Sequence, residues 1–239
     1  SGTSLTVNAA DVVGYYNGIY ADNDGKGALN ITSTGKIITS IEDGISANNS
    51  ASGTDLTIAA VHTYGGDSAY GGDGVGSGID AKNYGSGALS ITTTGITTGT
   101  ESHGIVAYNS STGTDLTINA ATTTGYDDGI DAINYGSGAL SITTTGTTTG
   151  ETDDGIFAFN SSDSTGDLTI NAATTKGNEN GINAVNNGSG ALSITTTGTT
   201  TGETGEGDGI YAKNSGTSLT VNAADVVGYY NGIYADNDG

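Results

Sequence analysis

Residues 129–146 read GIDAINYGSGALSITTTG. In its first half Ile130, Ala132 and Asn134 share one parity, and in its second half Leu140, Ser141 and Ile142 alternate apolar with hydroxyl. Alternation with period 2 marks a strand with one buried face. Both blocks recur along the chain. The Leu of a Leu-x-Ile/Val block stands at positions 5, 29, 56, 89, 116, 140, 168, 192 and 219. The Ile of a Gly-Ile-x-Ala-x-Asn block stands at 19, 45, 79, 105, 130, 156, 182, 210 and 233, and both series have a period of about 26 residues. Between the blocks lie Thr-rich segments such as Thr143–Thr149, whose β-branched side chains favour extended backbone over helix.

Three short strands per period, with Gly, Asn and Asp at the corners, make one coil of a parallel β-helix. The predicted fold is therefore all-β, a β-solenoid of about eight to nine rungs stacked at about 4.8 Å, on the order of 40 Å long. Parallel strand connections are right-handed as a rule, so a right-handed coil is expected. Two rung types alternate. GSGALSITTTG at 85–95 returns unchanged at 136–146 and 188–198, whereas the other type reads DLTINAA at 115–121 and again at 167–173. The stretch Tyr64–Ser77 is longer than its counterparts and is read as a loop extruded from one corner.

The whole chain, 1–239, is read as one continuous repeat array. Residues 1–25, SGTSLTVNAADVVGYYNGIYADNDG, are identical to residues 215–239, so the larger unit is 214 residues. Neither end carries a divergent polar rung of the kind that blunts the open edges of a finite solenoid. The expectation is a window on a periodic object, either one giant polypeptide or a head-to-tail polymer.

Composition agrees with a rod and not with a compact globule. Only 33% of the residues are hydrophobic, Gly numbers 42, and Pro, Cys, Met and Trp are absent. Against 26 acidic residues stand five lysines and no arginine, a formal charge of -21. Nucleic acid is excluded as a partner, because phosphate neutralisation needs basic clusters. No signal peptide or membrane-spanning run is read here, so this segment is not expected to insert into a membrane.

Three sets of residues stand out. The Asn that ends each Gly-Ile block (Asn23, Asn49, Asn83, Asn109, Asn134, Asn160, Asn186, Asn214 and Asn237) shares the inward parity and is read as a stacked interior amide ladder. On the outward parity of the same blocks Val106, Tyr108, Ile133, Phe157, Phe159 and Val185 form an apolar stripe where polar residues belong. Such a stripe suits a lateral contact, unless a loop of the same chain covers it. Acidic residues collect just before the Gly-Ile strand: Glu42 and Asp43, Glu101, Asp127 and Asp128, Glu151 with Asp153 and Asp154, Glu179, and Glu203 with Glu206 and Asp208. This column is read either as a solvated ridge with no cofactor or as a Ca2+ site through Asp127, Asp128, Asp153 and Asp154. No stretch matches an EF-hand loop, and Gly71–Gly76 is a poor echo of the RTX nonapeptide.

Gly18–Gly35, GIYADNDGKGALNITSTG, and its repeats over essentially all of the chain resemble the repeat-rich passenger domains of bacterial type V autotransporters and related large surface adhesins. The resemblance implies a right-handed parallel β-helix presented outside the cell. The function expected is that of an extracellular, fibre-forming bacterial surface protein, as in a cell envelope or biofilm matrix, with itself as partner in a homopolymer or bundle. The alternative is the stalk of an autotransporter-type adhesin whose distal tip meets a host or neighbour cell surface. A carbohydrate-active β-helix enzyme trails both. His62 and His103 lie on separate rungs without metal-ligand spacing, and no nucleophile has a recognisable base, so no catalytic residue is assigned.

Overall fold

A computed structural model of the protein describes residues 3–66, 76–205 and 207–239. Among these residues the chain forms a parallel β-solenoid without helix. Its rungs each contribute one strand to a nine-stranded sheet built from the Gly-Ile blocks. Rung 1 comprises Leu5–Ala9, Val12–Gly14 and Ile19–Asn23; rung 5 comprises Leu116–Ala120, Thr122–Gly125 and Ile130–Asn134. The larger, 16-stranded sheet holds the first strands of successive rungs and, folded back beside them, the second strands. The two runs are joined at rung 8, where Leu192–Gly202 continues through the corner as one strand. The loop expected over 64–77 falls mainly on residues outside the described ones, as does the RTX-like Gly71–Gly76 except for Gly76 itself.

Register follows the sequence repeat. Leu89 pairs with Leu116 and Leu116 with Leu140; Ile105 pairs with Ile130 and Ile130 with Ile156. Alternation puts Leu116, Ile118 and Ala120 of one strand, and Ile130, Ala132 and Asn134 of another, into the same narrow core. Burying each such Leu or Ile side chain contributes roughly 1.5–3 kcal/mol. A one-residue slip in any rung would turn its apolar set to solvent, which is why like residues stay stacked.

The second strands bury threonine instead. Their inward column runs Val12, Ile37, Thr63, Thr97, Thr123, Thr148, Thr175, Thr200 and Val226. Thr123 Oγ1 donates to Thr148 Oγ1 at 3.2 Å, but the hydroxyls of Thr63, Thr97, Thr175 and Thr200 are buried without a hydrogen-bond partner. A buried unpaired hydroxyl costs about 1–3 kcal/mol, and Val has nearly the same shape. Thr97→Val and Thr175→Val should each stabilise the solenoid by about 1 kcal/mol, whereas Thr148→Val, which leaves Thr123 unpaired, should not. Chemical denaturation followed by circular dichroism checks this, and a loss of stability in both of the first two variants would refute it. Ile37 and Val226 already fill the column, so the fold accepts the substitution.

Candidate functional site along the Gly-Ile sheet

The asparagines that end the Gly-Ile strands form an unbroken chain of amide hydrogen bonds. Nδ2 of each donates to Oδ1 of the next from Asn23 through Asn237, at 2.6–3.1 Å. Asn134 is saturated: its Nδ2 also donates to the Gly138 carbonyl at 3.2 Å, and its Oδ1 accepts the Gly136 N–H at 3.1 Å. The ladder therefore ties each strand both to the next rung and to its own turn.

A second ladder runs at the opposite end of these strands, in the residue just before each Gly-Ile pair. Asp43 Oδ1 accepts the Ser77 N–H, Asp128 Oδ1 the Asp154 N–H, Asp154 Oδ1 the Asn180 N–H and Asp208 Oδ1 the Asn231 N–H, each at 2.9 Å. Asn180 continues it by accepting the Asp208 N–H at 2.9 Å. Asp128, Asp154 and Asp208 are consequently buried, at 7%, 3% and 5% exposure. The image of a uniformly solvated acidic ridge is thus wrong at this corner position, because the rung rise brings the next backbone N–H onto the carboxylate. Burial pushes Asp43 up to about 6. Asp154 is pushed up to about 7 by burial, against the hydrogen bonds from Asn180 and Asn183 that hold it down. Asp127 stands outside this ladder and accepts from Thr152 Oγ1 at 3.3 Å; Glu206 is not among the described residues.

The four acidic residues singled out from the sequence are brought together only in part. Asp128, Asp153 and Asp154 have ligand atoms within 4.8 Å of one another, without Asp127. Asp128 also belongs to a second cluster that sequence reading missed, with His103 and Asp131. His103 Nε2 lies 3.3 Å from Asp128 Oδ2 and 4.0 Å from Asp131 Oδ2. Burial disfavours the charged ring, but the hydrogen bond to Asp128 and the surrounding carboxylates outweigh it and hold the His103 pKa above its ordinary value. Burial, then the Asp128 charge, push Asp131 up to about 6. The signal that finds His103 is its alignment: it occupies the same place before Gly-Ile as Asp43, Asp128 and Asp154.

The apolar stripe divides into two columns. Tyr108, Ile133, Phe159 and Val185 pair in succession and make one continuous outward column; Val106 and Phe157 belong to its neighbour, separated by Asp131. All are half-buried. Tyr84 and Tyr135, each directly after a ladder Asn, complete the first column as a staircase. Ring centroids of Tyr84, Tyr108, Tyr135 and Phe159 follow at 5.6, 5.6 and 5.7 Å with tilted planes, within the range of favourable aromatic pairs. Beside it Asp128, Asp131, Asp153, Asp154, Glu179, Ile133 and Phe157 line an open acidic groove. Geometrically, the face offers aromatic rings over one edge of the sheet and carboxylates over the other. Compared with protein-family models, curated proteins and solved structures, the chain matches none of them.

Proposed function

We propose that the protein is the shaft of an extracellular structural filament, a fibre-forming bacterial surface protein whose length is its function. One observation carries this reading: a single rung sequence fits both kinds of neighbour. As residues 3–25 it lies against rung 2, with Leu5 opposite Leu29 and Ile19 opposite Ile45. As residues 215–239 it lies against rung 8, with Leu219 opposite Leu192 and Ile233 opposite Ile210, and Asn214 Nδ2 donates to Asn237 Oδ1 at 2.6 Å. The core columns and amide ladder can therefore pass from one 214-residue unit to the next without a change of register. Open, non-closing repetition of this kind builds fibres.

A stalk that carries a distal adhesive tip is the second reading. It is favoured by the outward residues of the first strands, Thr117, Asn119, Ser141, Thr143, Thr169 and Asn171 among them, an uncharged hydroxyl and amide surface suited to an inert shaft. Chains of one, two and three 214-residue units, imaged by negative-stain electron microscopy, test the shaft itself. Each unit should lengthen the rod by about 40 Å at constant width; particles that widen or fail to lengthen would overturn the reading. Rods that bundle with rising concentration favour the filament, and rods that remain separate favour the stalk.

A further inference from the structure

We propose that His103, Asp128 and Asp131 form a binding site for one divalent transition cation of the zinc class, which staples rung 4 to rung 5. The donor set is mixed, one imidazole nitrogen with carboxylate oxygens, and all the ligand atoms lie within 4.8 Å of one another. Such a set suits zinc and its neighbours, whereas Ca2+ takes oxygen alone. The separation of His103 Nε2 from Asp128 Oδ2, 3.3 Å, is close to the edge of a tetrahedron whose centre lies about 2.0–2.2 Å from each ligand.

Three further features aim these atoms at a common point. Asp131 turns Oδ2 toward His103 at 4.0 Å, while its Oδ1 is buried without a hydrogen-bond partner, a cost that a cation held by both oxygens would remove. Asp128 spends Oδ1 on the Asp154 N–H, which leaves Oδ2 to face His103. His103 Nδ1 lies 3.0 Å from Ser102 Oγ; when a cation displaces the Nε2 proton from its hydrogen bond to Asp128, the Nδ1 proton donated to that hydroxyl fixes the tautomer whose Nε2 lone pair faces the carboxylates, the arrangement that orients metal-bound histidines. His103 also makes none of the hydrogen bonds to the next rung's backbone that Asp43, Asp128, Asp154, Asn180 and Asp208 make from the same corner position. Asp128 and Asp131 also line the open acidic groove, which gives the cation access from solvent.

The fold supplies its own controls. His103→Asn places at the corner a residue that Asn17, Asn180 and Asn231 already hold there, and Asp131→Asn copies Asn183 in its column. The metal-stripped 1–239 chain would be titrated with Zn2+ by calorimetry and with Co2+ by visible absorption, and its thermal midpoint followed with and without metal. One equivalent should bind and raise the midpoint, and each variant, still folded by circular dichroism, should weaken binding by about tenfold or more. Ca2+ should leave the midpoint unchanged. Absence of saturable Zn2+ and Co2+ binding, or binding that survives His103→Asn, would overturn the site; so would a Ca2+ response that outranks that of Zn2+. None of these outcomes bears on rod length, so the site and the filament reading fail independently.

Discussion

Asn134→Leu is expected to destabilise the solenoid by on the order of 4 kcal/mol and lower its thermal midpoint by about 10 °C, although leucine fits the volume and favours burial. Asn134 is fully buried and makes four hydrogen bonds, two through Nδ2 and two through Oδ1. Leucine leaves the Gly136 N–H and Asn160 Oδ1 without partners and takes one of two hydrogen bonds each from Asn109 Nδ2, which keeps the Thr114 carbonyl, and from the Gly138 carbonyl, which keeps Ser164 Oγ. Each such buried group costs about 1–3 kcal/mol, reduced where a neighbour can relax. Solenoid stability is close to a sum over rungs and their interfaces, so the loss should be local. Hydrogen exchange should show rungs 5 and 6 losing protection while rungs 2 and 8 keep theirs. A variant within 0.5 kcal/mol of wild type would mean that the ladder is mere filling and that side-chain volume alone matters there.

That ladder was legible in the sequence because parity and recurrence suffice to find it: an Asn at the inward position of every Gly-Ile strand has nowhere to point but the core. The strands and their period were legible for the same reason, since Leu140-Ser141-Ile142 and Ile130-Asp131-Ala132 state their buried face in three residues. The acidic corner was not. Asp128 and Asp154 look like surface charges in sequence, and only the rung rise reveals that each accepts the N–H of a residue one rung further on. Tyr84 and Tyr135 were missed because they sit at turns, where parity no longer predicts direction, yet they interleave with Tyr108 and Phe159. His103 and Asp131 escaped because motif reading looks for ligands a few residues apart. In a solenoid the natural ligand spacing is one rung plus or minus a few residues, and a search at that spacing would have found the pair.

The same stacking logic makes glycine before each Gly-Ile strand a steric requirement. Gly129→Ala is expected to cost about 3 kcal/mol, the upper part of the range for forcing a methyl into closed packing. A Cβ at Gly129 would lie 2.5 Å from the Gly155 carbonyl oxygen, 2.7 Å from Thr148 Cγ2 and 2.9 Å from the Thr149 carbonyl oxygen. The Gly155 carbonyl cannot retreat freely, because it accepts the Ile130 N–H at 3.1 Å. Gly78, Gly104, Gly155 and Gly181 meet the glycine carbonyl of the next rung at 2.5–2.6 Å in the same way. The added methyl must therefore either break the first hydrogen bond of the sheet at this level or hold rungs 5 and 6 apart. Either response weakens the contact between neighbouring rungs. Thr145→Ala, at an exposed position beside rung 6, serves as the comparison and should stay within about 0.5 kcal/mol of wild type. If Gly129→Ala matches that comparison in chemical denaturation, the rungs can separate at little cost, and close backbone approach is not what holds them together.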